Sequence, residues 1–234
     1  MKVVIHQPNY LPYPGFFHKL SLADVYVVMD RAQFTRGFIN RNRILDTHGP
    51  LWLTVPVRKD QKFSSIMDVE VNRHLPWRED HWRKILISYS NSRYFHLYRD
   101  QLERVYDREW TDLTSLNLET LRISMGWVGI HLKIVRESEL SVSSQGTQRL
   151  VDICELVGAD TYISGKGGKE YMDESLFASH GLELVYALNP GSPYPQRFSS
   201  VFVPDLSILD MVANVSPDDL RPTIAGAVPM PATS

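Results

Sequence analysis

Apolar and polar positions fall into short blocks near the start of the chain. An apolar run at residues 3–5 ends in polar and turn-forming residues at 6–9, and the segment 24–30 has the composition of a strand. The segment 16–22 between them suits a helix. Strand, loop, helix and strand in this order predict a βαβ unit of a parallel sheet. Because ligands bind beyond the carboxyl ends of such strands, we expect a site near residues 6–9 and Asp30.

The middle of the chain changes its pattern twice. Residues 51–57 and 66–71 have strand composition, which predicts a hairpin around residues 58–62. From about residue 76 to 125 the apolar spacing becomes helical, which predicts a helical lobe.

The last third of the chain alternates strands and helices again. A helix at 147–157 is closed by Gly158, and the glycines at 165–168 precede a helix predicted from Lys169. Strand composition recurs at residues 132–135, 161–163 and 184–186, and a short amphipathic helix is predicted at 206–215.

Together these elements predict an α/β fold, with a mostly parallel, Rossmann-like sheet, flanking helices and a central helical lobe. The corresponding division is an N-terminal α/β part at 1–72, the helical lobe at 73–128, a C-terminal α/β part at 129–216 and a flexible tail at 217–234. The tail is rich in Pro, Ala, Thr and Ser, a composition that disfavours packing, and we expect disorder from about Gly226.

Composition fits a protein with its own apolar core. The 234 residues include 43% hydrophobic and 22% charged residues, so folding needs neither a metal nor a disulfide. A formal net charge of -2 gives no overall field that favours nucleic acid or an anionic membrane. The N-terminus turns polar too soon for a signal peptide, and no apolar run approaches the ~18 residues of a membrane span, so we expect a cytoplasmic protein.

The first candidate site segment runs from His6 to Lys19. Prolines at positions 8, 12 and 14 fix its backbone. The side chains of His6, Gln7, Asn9 and Tyr10 would then stand on a stiff loop at the end of a central strand, an arrangement that favours ligand binding. A histidine in this place either acts as an acid or base or only satisfies a local hydrogen bond.

The second candidate segment, residues 30–43, contains four arginines and two asparagines. Guanidinium groups suit a carboxylate or phosphate, and amides suit sugar hydroxyls or a nucleobase edge. If residues 38–44 are extended, Asn40 and Asn42 face one way while Arg41 and Arg43 face the other. The alternative is a solvated basic edge strand, and a nucleic-acid site is disfavoured because no matching basic stripe follows.

Two further segments present polar groups on a constrained backbone. In residues 164–168 the glycines can expose backbone amides to an anion. This segment matches neither the P-loop nor the dinucleotide-binding spacing, and its alternative is a flexible turn. Tyr194 and Gln196 alternate with prolines before the last predicted helix, which would hold their side chains rigidly.

Several chemistries lack their sequence signature. There is no His-x-x-x-His or Cys-x-x-Cys spacing, so no metal site is expected. No Gly-x-Ser-x-Gly nucleophile elbow occurs either. The single cysteine, Cys154, falls on the apolar face of a predicted helix, where it is expected to be buried filler rather than a nucleophile.

A set of short segments follows one another in a characteristic order along the chain. They are His6-Gln7-Pro8-Asn9-Tyr10-Leu11-Pro12, Gly15-Phe16-Phe17-His18-Lys19, Ala23-Asp24, Asp30, Gln33-Phe34, Asn40-Arg41-Asn42, the strand at 53–57, Asn117-Leu118, Arg149-Leu150, Ser164-Gly165, Tyr171-Met172-Asp173, Tyr194-Pro195-Gln196 and Leu206-Ser207-Ile208-Leu209-Asp210. Taken together, they resemble the WbqC-like protein family over nearly everything from Lys2 to about Asn214. The resemblance implies a biosynthetic enzyme, associated with O-antigen or natural-product gene sets, and suggests addition of glycine to an amino sugar. Lys166 departs from the small or proline residue expected in its loop.

Joining a carboxylate to an amine requires an activated acyl group. Because no cysteine or serine nucleophile is apparent, the resemblance implies activation by ATP or a pre-activated donor, such as an aminoacyl-tRNA or a carrier-protein thioester. Residues 3–30 also resemble the opening βαβ unit of the nucleotidyltransferase fold of pantothenate synthetase-like ligases, without the His-x-Gly-His motif of that group. ATP is thus expected as a co-substrate, with no permanently bound cofactor.

The resulting hypothesis is an acyl or aminoacyl transferase that acts on a small-molecule substrate, away from membranes, and a homo-oligomer is compatible with it. The alternatives are a non-catalytic protein that binds a small molecule or sugar nucleotide, and an aminoacyl-tRNA-dependent transferase. The expected catalytic residues are His6, His18, Lys19 and Asp30. The expected substrate-binding residues are Gln7, Asn9, Tyr10, Gln33, Asn40, Arg41, Asn42, Arg43, Ser164, Gly165, Lys166, Tyr171, Tyr194 and Gln196.

Overall fold

The chain alternates strands and helices over most of its length. The computed structural model describes residues 1–59, 61, 63–170, 172–187 and 192–226, without the side chain of Lys166. The strands are β1 (Lys2–His6), β2 (Val25–Val28), β3 (Arg41–Asp46), β4 (Gly49–Thr54), β5 (Lys133–Arg136), β6 (Thr161–Gly165) and β7 (Glu183–Ala187). The α-helices are α1 (Pro14–Ser21), α2 (Trp77–Tyr89), α3 (Arg99–Asp107), α4 (Leu113–Trp127), α5 (Gly146–Val157), α6 (Glu174–Ser179), α7 (Ile208–Asn214) and α8 (Pro217–Ala225). Short 3₁₀ helices occupy Ile66–Asp68, Phe95–Leu97, Glu137–Glu139 and Lys166–Glu170.

Five of these strands form one sheet in the order β5-β2-β1-β6-β7, and each neighbouring pair is parallel. β1 and β2 are joined through α1, which confirms the predicted βαβ unit. The chain moves outward from β1 through β2 and β5, then returns to the other side of β1 with β6. The strand order therefore reverses between β1 and β6, the place where ligands bind in Rossmann-type sheets. The predicted α/β fold is confirmed.

Alternate side chains of the sheet enter two separate apolar clusters. Val4 and Tyr26 pack with α1, α4, α7 and α8 on one face, whereas Val3 and Ile5 pack with α5 and α6 on the other. Because the central strands are covered on both faces, their sequences are continuous apolar runs rather than alternating ones. Cys154 is buried in the second cluster, as expected.

The helical lobe shares a third apolar cluster with the β3–β4 hairpin. Helices α2, α3 and α4 contribute the buried side chains of Ile85, Leu102 and Leu116, and the hairpin contributes Ile44 and Leu53. The helices predicted for this part of the chain are confirmed. The hairpin rests on the lobe with one face only, so its other face is left toward solvent.

The hairpin predicted around residues 58–62 is present only as a short antiparallel contact, in which Val57 and Val71 form a bridge and the N–H of Asn72 donates to the backbone oxygen of Pro56 at 2.8 Å. Residues 60 and 62 of its turn lie outside the described residues.

The regular hairpin of this region lies earlier in the chain. β3 and β4 pair antiparallel, and the pair Asp46 and Gly49 closes their turn. This turn is stable because the backbone N–H of His48 donates to Asp46 Oδ1 at 2.7 Å, and because Gly49 adopts a φ of 111°. The segment Ile66–Asp68, which has strand composition, forms a 3₁₀ helix.

A helix replaces the first part of the predicted flexible tail. α8 begins with a proline at its first turn and ends before Gly226, which has a φ of 76°. Its Leu220 and Ile224 are buried in the cluster that includes α1. This burial stabilises the segment despite its proline content. The prediction is thus wrong for residues 217–225, and residues 227–234 lie outside the described residues.

Candidate functional site

A cavity of about 720 Å³ lies at the carboxyl ends of β1 and β6, where the strand order reverses. Its wall includes His6 and Gln7 after β1, Lys19 from α1, and Ser164 and Gly165 at the end of β6. These five residues were predicted from the sequence to belong to a site. The sheet topology brings them together from segments that are far apart along the chain.

His6 is a neutral hydrogen-bonding group in the cavity wall. Burial, together with the nearby charge of Lys19, lowers the pKa of its imidazole to about 3. Its Nδ1–H donates to the backbone oxygen of Gln7 at 2.8 Å, because a carbonyl oxygen can only accept. Nε2 therefore keeps its lone pair and can accept a hydrogen bond from a ligand. The ring is held edge-on against Phe16, with 5.2 Å between the centroids.

Lys19 places an unpaired amine in the same wall. The residue is 6% exposed, and within the described part of the chain Nζ has neither a hydrogen bond nor an ion pair. Its one contact of charge is with the Phe16 ring, whose centroid lies 5.6 Å from Nζ. Burial lowers the pKa of the amine to about 7. A Cβ on Gly165 would lie 4.0 Å from Nζ, which places the amine beside the carboxyl end of β6. An amine with this pKa either binds an anion or takes up a proton near neutral pH.

The start of α5 also belongs to the cavity wall. Gly146 and Thr147 line the cavity, and Gln145, at the N-cap position, makes no side-chain cap among the described residues. The first amides of α5 thus remain available to an anion, aided by the helix dipole. Arg149 also lines the cavity, but its guanidinium is paired with the buried Glu137 at 2.5 and 2.6 Å.

The glycine-rich segment after β6 packs tightly against the cavity. Gly168 is buried, and a Cβ in its place would overlap Ser164 Oγ and lie 2.7 Å from Met172 Cε. Any larger residue there would force the side chains of Ser164 and Met172 to move. The helix predicted from Lys169 is wrong: the segment is a 3₁₀ helix, and α6 begins only after Asp173, whose side chain caps it.

Two predicted catalytic residues lie outside the cavity. The carboxylate of Asp30 is fully buried, pairs with Arg136 Nε at 2.7 Å, and accepts from the N–H and hydroxyl of Ser138 at 2.9 and 2.7 Å. It ties the end of β2 to the end of β5. His18 Nδ1 donates to the backbone oxygen of Ile224 at 3.0 Å and so attaches α1 to α8. Both residues satisfy buried partners within the fold.

The polar residues of the proline-rich loop and of β3 serve the packing of that loop. Tyr10 OH lies 3.1 Å from His81 Nδ1, inside the helical lobe. Asn42 Nδ2 donates to the backbone oxygen of Leu11 at 2.6 Å, and Asn40 Nδ2 to that of Val55 at 3.0 Å. These three side chains and Asn9 are buried. They were predicted to bind substrate, but strand alternation directs the two asparagines into the core.

The remaining predicted residues divide between surface and interior. Arg41 and Arg43 project from the other face of β3 onto Trp52, as the alternation predicted. Gln33 is exposed, and its backbone forms a bridge with residue 65. Tyr194 is buried, and the amide of Gln196 pairs with the backbone of residue 203 at 2.9 and 2.8 Å. The side chain of Lys166 and all of Tyr171 lie outside the described residues.

Other cavity residues were not predicted from the sequence. They are Tyr13, Gly15, Gly146, Thr147, Arg149 and Asp205, among others. Gly146 and Thr147 could have been predicted, because they begin a helix that follows a strand, and such a helix in an α/β fold often presents its N-terminus to a ligand. Asp205, with a φ of 58°, carries no such signal in the sequence.

The described residues were also compared with the requirements of a metal site and of a membrane span. Within the described residues, no group of three or more His, Cys, Asp or Glu side chains is arranged to hold a metal ion. None of the helices in the same part of the chain is long and apolar enough to cross a membrane.

Comparison with known proteins places the chain in a family. Residues 7–222 match the WbqC-like protein family. The chain is 30% identical over 225 residues to "Uncharacterized protein Rv1507c" of Mycobacterium tuberculosis (strain ATCC 25618 / H37Rv), an alignment that covers 94% of this chain and 97% of that protein. No solved structure matches the chain. Because the family match covers well over half of the chain, this protein belongs to the WbqC-like family.

Proposed function

We propose that this protein is a biosynthetic transferase that forms an amide between an activated acyl or aminoacyl group and an amine, within the cavity between β1 and β6. The observation that carries the proposal is the buried, unpaired amine of Lys19 beside the neutral imidazole of His6. Burying an amine without a hydrogen bond or an ion pair is unfavourable for folding, so its presence in a ligand-sized cavity indicates a chemical role.

The reaction makes one C–N bond and breaks one bond to a leaving group. The acceptor amine attacks the acyl carbon, and the bond from that carbon to the leaving group breaks. The amine nitrogen loses one proton in the process, which Lys19 Nζ accepts and then passes to the leaving group. A pKa of about 7 suits this exchange, because the amine is partly unprotonated at neutral pH.

His6 and α5 supply positioning in this mechanism. His6 Nε2 accepts a hydrogen bond from the acceptor amine and directs its lone pair at the acyl carbon. The amides at the start of α5 stabilise negative charge on the donor, in the way that preorganised dipoles stabilise an oxyanion or phosphate. No covalent enzyme intermediate is required, because positioning and electrostatics act on a group that is already activated.

The substrate classes follow from the family resemblance. The acceptor is the amine of an amino sugar or another natural product, and glycine is the first acyl group to test. The donor is an acyl-adenylate made from ATP, an aminoacyl-tRNA, or a carrier-protein thioester, each of which delivers an activated carbonyl carbon. The cytoplasm, where all three occur, is the proposed compartment.

The proposal is tested by product formation. Purified protein is incubated with amino-sugar acceptors and with glycine plus ATP, glycyl-tRNA or a glycyl thioester, and amide product and AMP are measured by mass spectrometry. We expect amide product with one donor, and a loss of ~10²-fold or more in Lys19→Met. Lys133→Met, at an exposed lysine of β5, is the matched control and should keep full activity.

The result that would overturn the proposal is equally specific. If acceptor and donor bind, as shown by calorimetry, but no donor gives product, the protein is a binding protein without catalysis. Full activity of a folded Lys19→Met variant would remove Lys19 from the mechanism.

A further inference from the structure

A row of aromatic and arginine side chains leads away from the cavity across the solvent-facing side of the β3–β4 hairpin. It consists of Tyr13, Phe38, Trp52, Arg41 and Arg43, and we call these five residues the hairpin strip. Tyr13 also lines the cavity, so the strip begins at the cavity wall.

Neighbouring members of the strip contact one another. The ring centroids of Tyr13 and Phe38 are 5.6 Å apart, and those of Phe38 and Trp52 are 6.3 Å apart. Arg41 Cζ lies 4.4 Å and Arg43 Cζ 5.7 Å from the Trp52 ring centroid. Arg43 and Trp52 are directly opposite in the two strands, so their side chains share a face of the hairpin.

The aromatic surface of the strip is open to solvent. Phe38 is 37% exposed and Trp52 is 40% exposed. Asn42 and Leu53, which alternate with strip residues along the same strands, are fully buried. Packing of the hairpin on the lobe therefore does not explain why large aromatic residues occupy the outer face. Adjoining exposed aromatic side chains of this size mark a binding surface.

The two arginines of the strip have unused hydrogen-bonding capacity. Arg43 Nη2 donates to the backbone oxygen of Pro204 at 3.1 Å. Nε of Arg41 and of Arg43 is buried without an acceptor, so only the terminal guanidinium nitrogens can reach a ligand. The arginine–carboxylate ion pairs of the described residues are formed by other arginines. Their positive charges are thus available to an anion that approaches Trp52.

We propose that the hairpin strip binds the nucleotide part of the donor substrate, with the base stacked on Trp52 and Phe38 and a phosphate held by Arg41 and Arg43. Aromatic faces stack with any base, and the guanidinium fork matches phosphate oxygens. The inference rests on the proposed function in one respect: the nucleotide carries the acyl group that reacts in the cavity.

The strip would recognise one nucleobase and its phosphate. Two kinds of molecule carry this pair of groups. An adenylate presents it as a small molecule, and the single-stranded end of an RNA presents it as part of a chain. The net charge of -2 gives the rest of the protein no general attraction for polynucleotides, so recognition is confined to the few nucleotides that the strip can contact.

Binding is tested with three probes: adenosine, AMP, and a 5′-phosphorylated triadenylate RNA. Quenching of tryptophan fluorescence is followed in a titration, and Trp52→Phe identifies the part of the signal that comes from Trp52 among the five tryptophans. We expect AMP to quench and Trp52→Ala to weaken its binding roughly tenfold or more. Arg41→Ala with Arg43→Ala should weaken AMP binding, leave adenosine binding unchanged, and reduce the salt dependence.

Arg108→Ala is the matched control for the arginine variants. Arg108 Cζ also lies 4.4 Å from a tryptophan ring, that of Trp110, but Trp110 is buried and offers no face for a base. This variant should bind AMP as the unaltered protein does. Trp52→Phe keeps an aromatic face and should retain most of the affinity in calorimetry.

The probes also separate the two sources. Equal affinity for AMP and triadenylate supports a small nucleotide, whereas tighter and more salt-dependent triadenylate binding supports an RNA end. The proposal is overturned if AMP and triadenylate both leave Trp52 fluorescence unchanged, or if the Trp52→Ala and arginine variants bind them normally. Nucleotide binding is measured without turnover, so it is independent of the transferase assay. If the transferase assay alone fails, the proposal that the hairpin strip binds a nucleotide still stands. If the protein is an active transferase but the strip binds no nucleotide, only the binding proposal is rejected.

Discussion

Lys19 and Gly165 meet at the point where the sheet reverses its strand order, and a Cβ on Gly165 would lie 4.0 Å from Lys19 Nζ. Lys19 belongs to the helix after β1, and Gly165 ends β6, the strand on the other side of β1. The amine is therefore held by the two segments that define the crevice. Burial in this position lowers its pKa to about 7, compared with about 10.5 in water.

The first prediction concerns the pH dependence of amide formation. Since the pKa of Lys19 is lowered, its amine is protonated below pH ~7 and able to accept a proton above it, so kcat should rise through pH 7. Lys19→Arg keeps the positive charge but cannot lose its proton, and should reduce kcat by ~10²-fold or more while donor binding persists. A flat pH profile, or an active Lys19→Arg variant, would contradict the proton-transfer role.

The second prediction compares two glycines of one segment. Gly168→Ala should destabilise the protein by ~1–3 kcal/mol and weaken donor binding, because the added methyl group displaces Ser164. Gly165→Ala should be tolerated, because its methyl group would make only an ordinary contact. Urea unfolding of both variants measures the difference. Ser164→Ala in the Gly168→Ala background should recover part of the loss, and the absence of any recovery would exclude the overlap as its cause.

The third prediction concerns acid stability. Tyr10 OH donates to His81 Nδ1, His81 Nε2–H donates to the backbone oxygen of Thr54 at 3.2 Å, and burial lowers the pKa of His81 to about 4. Between pH 6.5 and 4 the unfolded chain binds a proton that the folded protein excludes, so stability falls as pH falls through this range. Relative to His81→Gln, the unaltered protein should lose about 2 kcal/mol between pH 7 and 5 in urea titrations. A constant difference would show that His81 is not neutral in the folded state.

The fourth prediction concerns Asp210, whose titration lowers the stability of the protein as pH rises. Asp210 is buried beside Tyr194 and accepts a hydrogen bond from Tyr89 at 3.1 Å, and burial raises its pKa to about 6. Between pH 4 and 6 the folded state holds a proton that the unfolded chain releases, so this group costs stability as pH rises, by up to about 3 kcal/mol at pH 7. Asp210→Asn, which keeps an acceptor for Tyr89, should raise the melting temperature at pH 7 and lose this advantage toward pH 4. A lower melting temperature at pH 7 would indicate a stabilising ionised carboxylate instead.

Apart from Lys19 on α1, the predicted residues that lie in the cavity wall all come from segments that follow a strand of the parallel sheet. His6, Gln7, Ser164 and Gly165 follow from this rule, because the carboxyl ends of parallel strands meet at one edge. The same rule misplaced Asp30, because the carboxyl end of β2 lies beside β5 rather than at the point of reversal. A pattern of strands gives no strand order, so the sequence could not distinguish these two ends.

The polar residues of the second segment show a different limit. Asn40 and Asn42 were correctly placed opposite Arg41 and Arg43, because side chains alternate along a strand. Which face would be buried depended on where the helical lobe packs against the hairpin. The lobe covers the asparagine face, so the amides satisfy loop carbonyls rather than a ligand.

The βαβ start, the α/β class, the helical lobe and the alternation in β3 could all be predicted from the amino-acid pattern, because each depends on the local spacing of apolar side chains. Three features became visible only in the folded protein: the reversal of strand order between β1 and β6, the presence of α5 and Lys19 in one cavity wall, and the packing of α8 on α1. These features join residues more than a hundred positions apart. They are set by which apolar faces can be buried together, a property of the whole chain rather than of any segment.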